Sequence, residues 1–316
     1  MACSKPSWDV AMIELNRILC PIDFSPFSEH ALQYAMKMAR WYNAQLRVLH
    51  VMPLLPPSTT SELAAMSRQL TVRNLNTLIE RFRLPEVEIV AELVESAEPA
   101  PRIIEAAEAF DADLIVTGSH GRTGIQRVFL GSVVETLLHR CGRPVLTIPS
   151  HITPARLATD ISFRRIVCAV DFAPASLGAL AHALSIAEET DASLTLLHVI
   201  EMPAELQYPP QGPNYDVALL RAEAEAAVLT RLQALVPEHA RDYCTIRTEV
   251  LEGGASRQIL READALDADL IVLGVHGRNA FDLAFFGSNS KDVIRQAHCP
   301  VLAVPAGRRA TMRVAS

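Results

Sequence analysis

Residues 118–132 read GSHGRTGIQRVFLGS, and residues 274–288 read GVHGRNAFDLAFFGS. Both fit one template: Gly, two residues, Gly, nine residues, Gly-Ser. Gly118, Gly121, Gly131 and Ser132 fill it first, and Gly274, Gly277, Gly287 and Ser288 fill it again. Each loop follows the same hexapeptide, Asp-Ala-Asp-Leu-Ile-Val, at 111–116 and 267–272. An apolar run that ends in a glycine loop and then starts a helix suits an anion. Glycines let backbone N–H groups approach a phosphate, and a helix start adds unpaired donors and a positive dipole end. On this reading, replacing Gly118 and Gly131 together with Val abolishes anion binding and leaves the fold intact. One GxxG is weak evidence, but two full-length matches in the same context favour phosphate over ordinary turns.

Other polar residues sit around these loops. Asp23 and Asp171 end apolar runs and precede a Pro and an apolar helix, so each reads equally as a helix cap or as a polar contact to a nucleoside or its metal. His120 and His276 lie within the loops, where phosphate contact is the natural role. His50 and His198 lie inside strands and read as satisfied structural histidines. Arg122 and Arg278 follow the second glycine and read first as solvated surface residues, second as phosphate clamps.

The elements that must position these residues are duplicated. RILCPIDFSP (17–26) answers RIVCAVDFAP (165–174), and RVLHV (47–51) answers TLLHV (195–199), both 148 residues apart. RPVLTIP (143–149) answers CPVLAVP (299–305) at 156, so the second copy carries eight extra residues, placed in IEMPAELQYPPQGPN (200–214). In the first copy, strands are expected near 17–23, 45–51, 87–93, 113–117 and 144–148, with helices near 27–42, 61–83, 99–110 and 131–141. In the second, strands are expected near 165–171, 193–199, 244–251, 269–273 and 300–304. Alternating strands and helices imply crossovers and a parallel sheet, and runs such as DLIVTG lack the alternation of a half-exposed strand. The expected fold is α/β: two tandem doubly wound domains, each a five-stranded parallel sheet flanked by helices, Rossmann-like. The expected layout is a first domain over 1–149, a linker over 150–163, a second domain over 164–306 and a basic tail over 307–316. Ligands of such sheets bind beyond the carboxyl ends of the strands, where Asp23 and Gly118 end their strands.

Bulk composition narrows the class. The 316 residues carry a formal charge of −7, with 50% hydrophobic and 21% charged residues. That balance argues against nucleic acid or an anionic membrane as partner. No apolar run reaches the roughly 18 residues of a membrane span, so a cytoplasmic protein is expected. Six cysteines without CxxC spacing argue against a zinc site or disulfides, and Cys20 and Cys168 read as buried reduced hydrophobes. There is no GxxxxGK[ST] loop and no SGGxDS-type loop after the first strand. No nucleophile–base pair stands out, which argues against rapid hydrolysis of a bound phosphate ester.

On these motifs the chain resembles the universal stress protein family in its tandem form, over about 17–149 and 165–306, which implies a Rossmann-like fold of the adenine-nucleotide-binding type. For members with this glycine pattern the resemblance implies ATP binding, with Mg²⁺ accompanying the nucleotide, in a nucleotide-dependent stress-response or signalling module. The alternatives are a nucleotide-independent interaction scaffold or a slow ATPase. Carried over by position, Pro21, Ile22 and Asp23 lie near the nucleoside, and Val51 contacts adenine. Thr117, Gly118, His120, Gly121, Gly131, Ser132, Val133 and Val134 line the ribose and phosphates. The second copy matches with Ala169, Val170, Asp171, Val199, Leu273, Gly274, His276, Gly277, Gly287, Ser288, Asn289 and Ser290. Ala169 replaces a proline, Asn289 replaces a valine and Ala280 replaces Gly124, so the first site matches better. The family also implies pairing of domains through their last strands: PVLTIP against PVLAVP as an internal pseudo-dimer, with whole chains pairing again into a homodimer.

Overall fold

The computed structural model describes residues 13–120, 130–149, 161–201, 217–275 and 287–306. The protein divides into two compact units, one formed by Glu14–Ile161 with Val275–Gly307, the other built on Ser162–Gly274. The division does not follow the sequence copies, because the last helix and strand of the second copy pack with the first.

In the larger unit the order is β1 (Arg17–Ile22), α1 (Pro26–Trp41), β2 (Gln45–Met52), α2 (Ser61–Phe82), β3 (Ile89–Glu95), α3 (Pro99–Ala109), β4 (Leu114–Gly118), α4 (Ser132–Arg140) and β5 (Val145–Ile148). The strands of this copy lie in the order β3-β2-β1-β4-β5, all parallel. The connection from β1 runs to one side and β4 lies on the other, so the strand order reverses between them. β1, β4 and β5 are buried almost throughout, as central parallel strands covered on both faces must be.

Ser25 starts α1: its hydroxyl accepts from Ser28 N at 3.2 Å, and Pro26 takes the first helical position, where a missing N–H costs nothing. The buried face of α1 is Ala31, Leu32, Tyr34, Ala35, Met36, Met38 and Ala39.

The repeated hexapeptide has a structural job. Its first aspartate, Asp111 or Asp267, takes a left-handed φ (51° and 48°) just past the preceding helix. The carboxylate of its second aspartate ties down the neighbouring first strand. Asp113 Oδ2 accepts from Asn16 N at 2.8 Å and Arg17 N at 2.9 Å, while Asp269 Oδ2 accepts from Arg164 N at 3.1 Å and Arg165 N at 3.0 Å. Asp113→Ala strips two strand N–H groups of their acceptor and should cost about 1–3 kcal/mol, measured as a lower urea midpoint.

The smaller unit contains β6 (Arg165–Ala169), α5 (Pro174–Thr190), β7 (Ser193–Ile200), α6 (Val217–Gln233), the short α7 (Ala240–Tyr243), β8 (Thr245–Glu252), α8 (Ala255–Ala265) and β9 (Leu270–Val275, which ends at the boundary). β9, β6, β7 and β8 lie side by side and parallel. The proposed eight-residue insertion lies almost wholly outside the described residues. Of the expected linker, Ile161 and Phe163 are buried, and Phe163 O accepts from Thr190 Oγ1 at 2.8 Å.

The remaining elements, α9 (Ser288–Gln296) and β10 (Val301–Pro305), belong to the larger unit. β10 runs antiparallel to β5, with Leu302 opposite Leu146, Ala303 opposite Val145 and Val301 opposite Thr147. PVLTIP and PVLAVP therefore cover each other's edges, which would otherwise expose rows of unpaired backbone groups. Leu146 and Leu302 occupy equivalent positions of the two copies, so the pairing is symmetric about them.

Candidate functional site

Just beyond β1 the chain makes an elbow that recurs after β6. Asp23 N donates to Ser28 Oγ at 3.3 Å, and Asp23 Oδ1 accepts from Ser25 N at 2.9 Å. Asp171 does the same with Ser176 Oγ (3.2 Å) and Ala173 N (2.9 Å). Neither aspartate is the helix cap: the N-cap positions are Ser25 and Ala173, two residues on. Each carboxylate instead shapes the turn into the helix with one oxygen.

The next residues, Phe24 and Phe172, hold φ at 61° and 62°, a left-handed conformation that is costly for a bulky side chain. Two contacts hold it in place. His50 Nδ1 lies 2.6 Å from Ile22 O and His198 Nδ1 lies 2.7 Å from Val170 O; a carbonyl only accepts, so these nitrogens carry the proton. The same rings lie 4.6 Å from Phe24 and 5.0 Å from Phe172. The strand histidines are thus satisfied structural residues that position the aspartate. The phenylalanines escaped the sequence reading because nothing in a Phe announces a positive φ.

Beside the elbow, β4 ends in Thr117 and Gly118, both buried. A Cβ on Gly118 would lie 2.9 Å from the carbonyl carbon and oxygen of Phe27, and one on Gly274 would lie 2.4 Å from Ala175 C and Ser176 N. These glycines are required so that α1 and α5 can pack on the strand ends. This corrects the expectation that Gly118→Val spares the fold. Gly287 differs: its φ is −53° and an added Cβ meets nothing within 4 Å. Neither conformation nor packing calls for glycine there, which leaves open space at the start of α9.

Ser119 O accepts from Gly131 N at 3.0 Å, so the residues before and after the loop meet. Gly131 is the N-cap of α4 with φ −61°, and as a glycine it supplies no side-chain cap. The first-turn N–H groups have no partner within the helix, and a helix start of this kind can take an anion. His120 Nδ1 lies 2.9 Å from Ser119 Oγ, and its ring is 6.1 Å from that of Phe27. His120 Nε2 is buried and has no hydrogen-bond partner among the described residues. The Ser119 hydroxyl can donate to Nδ1, and in that tautomer Nε2–H is a buried donor that suits an anion.

In the first copy, then, Pro21, Ile22 and Asp23 at the end of β1, Val51 on adjacent β2, and Thr117, Gly118 and His120 at the end of β4 share the carboxyl edge of one sheet. The Ser119–Gly131 bond brings Gly131 to the same edge. Ser132, Val133 and Val134 open α4, and Val134 is turned into the core. Gly121 and Arg122 lie outside the described residues. In the second copy Ala169, Val170, Asp171, Val199, Leu273 and Gly274 belong to the smaller unit, whereas Gly287, Ser288, Asn289 and Ser290 belong to the larger. His276, Gly277, Arg278 and Ala280 lie outside the described residues.

Cys20 and Cys168 are fully buried, and burial pushes the Cys20 thiol far above its ordinary value and Cys168 up to about 12. Both are inert core residues. Among the described residues no group of three or more His, Cys, Asp or Glu could hold a metal ion, and no helix is long and apolar enough to cross a membrane.

Comparison with known proteins agrees with this architecture. A model of the universal stress protein family matches residues 14–149 and again 162–305. A universal stress protein of Mycolicibacterium smegmatis is 26% identical over 296 residues, covering 91% of this chain and 96% of its own. One from Methanocaldococcus jannaschii is 32% identical over 142 residues, covering 45% of this chain and 82% of its own. The crystal structure of a universal stress protein from Archaeoglobus fulgidus DSM 4304 shares the fold, with a TM-score of 0.64 at 23% identity, over 93% of this chain and all of that one. The duplicated glycine loops, the duplicated sheet and both family matches agree: the chain belongs to the universal stress protein family, in its tandem two-domain form.

Proposed function

We propose that the protein binds ATP with Mg²⁺ in its first copy and uses the bound state as a switch in a stress response. The observation that carries this reading is the buried Nε2 of His120, which has no hydrogen-bond partner among the described residues, beside a helix start whose N-cap is a glycine. His120 Nε2 and the N–H groups of Ser132 and Val133 would hold phosphate oxygens, a helix-start anion site in the general sense. Asp23 would face the nucleoside, and Val51, half-exposed on β2, would meet the base. Adenine as the base and Mg²⁺ as the companion ion rest on the family resemblance. In the second copy, the open space at Gly287 supports a helix start of the same kind. We place the domain boundaries at 1–149 and 164–306 and treat the two copies as an internal pseudo-dimer built on the β5–β10 pair.

The role is binding rather than rapid turnover. Asp23 is the one carboxylate among the assigned first-site residues, and one of its oxygens is already committed to Ser25 N. Among the described residues nothing placed beside it forms a nucleophile–base pair. Titration calorimetry of the full chain with Mg-ATP should show saturable heat, and His120→Ala should weaken it about tenfold by removing one donor to a charged oxygen. No heat and no competition at millimolar nucleotide would sink the proposal and leave a nucleotide-independent scaffold.

A further inference from the structure

The helix starts of the two copies are joined by one ion pair. Glu135 N donates to Gly131 O at 2.9 Å and Lys291 N donates to Gly287 O at 3.2 Å, so each residue closes the first turn on its N-cap glycine. They occupy the same position in the two copies, 156 residues apart, with opposite charge. Lys291 Nζ contacts Glu135 Oε1. Both helices belong to the larger unit.

We propose that Lys291, a residue of the second copy, sets the anion affinity of the first copy's helix start by neutralising Glu135. This rests on the phosphate reading of that start. An acidic residue in a first turn ordinarily suits the helix dipole. At a start reserved for phosphate the same charge is unfavourable, because it lies about one turn, roughly 5.4 Å along the axis, from where the anion binds. Glu135 stands there, and the cation that offsets it comes from the other copy. The start of α9 has the reverse arrangement, a lysine in its own first turn whose charge is drawn off by Glu135. One contact thereby links both starts: removing the carboxylate favours an anion at each, and removing the ammonium disfavours it at each. The side chains are 45% (Lys291) and 38% (Glu135) exposed, so the pair contributes little to folding. Its effect on a multiply charged ligand is larger, since each phosphate charge feels it.

The test is Mg-ATP calorimetry of the full chain on a Gly287→Val background, so that the heat reports the first copy. At about 50 mM salt Lys291→Gln should weaken binding about three- to tenfold, and Glu135→Gln should strengthen it by a similar factor. The double variant should return near the parent, and Lys291→Arg should match it. Raising salt to about 500 mM should shrink all these differences. Opposite signs for the two single variants separate this role from a structural one, in which both would lower stability and leave affinity unmoved. If both single variants stay within about twofold of the parent, while the parent binds, the inference is wrong. A wild-type chain that takes up no Mg-ATP overturns the nucleotide reading, and the inference with it.

Discussion

Gly274→Ala should lower the unfolding free energy by about 3 kcal/mol, whereas Gly287→Ala should cost less than about 1 kcal/mol and act on ligand binding instead. The two glycines look alike in the repeated motif but meet different surroundings. A methyl on Gly274 would lie 2.4 Å from Ala175 C and Ser176 N, both backbone, so the start of α5 would have to move. Backbone cannot swing aside as a long side chain can, and a close-packed interior passes the strain on. A methyl on Gly287 meets nothing within 4 Å, and its φ of −53° is open to any residue. Gly118, with contacts at 2.9 Å, should fall between, at about 2 kcal/mol. Urea unfolding of the three alanine variants checks the order. Equal losses at Gly274 and Gly287 would refute this assignment of roles.

Leu146→Asp is expected to cost about 4 kcal/mol or more, enough to unfold a marginal protein. Leu146 is 1% exposed and faces Leu302, 2% exposed, across the β5–β10 pair. A carboxylate there has neither solvent nor a cation in the strand pair to meet it. Leu146→Ala and Leu302→Ala should each cost about 2–5 kcal/mol. Because they occupy facing positions of one strand pair, their costs should couple by about 0.5–3 kcal/mol in a double-mutant cycle. Thermal unfolding is the measurement. An aspartate variant with wild-type stability would show that this strand pair does not hold in solution.

Strands were legible because parallel buried strands carry near-continuous apolar runs, and helices because their apolar spacing was clear. Every strand expected between 17 and 148 is present, with ends moved by at most two residues. Duplication supplied the two matching edges PVLTIP and PVLAVP, the family resemblance implied their pairing, and the strands are found paired antiparallel. The sequence was less informative where a residue's reason lies in a neighbour remote along the chain. Gly118 was read as a ligand contact, and only the position of Phe27 reveals it as a packing residue. Asp113 had no role of its own within the repeated hexapeptide, and its work is to hold the N–H groups of Asn16 and Arg17. Phe24 and Phe172 carry positive φ because His50 and His198 secure the elbow, a cause lying 26 residues further on in both copies. The compact units also depart from the repeat, since the segment from Val275 packs with the first copy.

Native mass spectrometry of the freshly purified, full-length chain tests nucleotide binding most directly. Under gentle ionisation the chain should carry an added mass equal to ATP or ADP, with Mg²⁺. On a Gly287→Val background that mass should be lost, with the fold preserved, when His120→Ala and Gly131→Val are added. A chain that flies bare, stays bare after incubation with millimolar Mg-ATP, and is folded by circular dichroism would contradict the nucleotide-binding account.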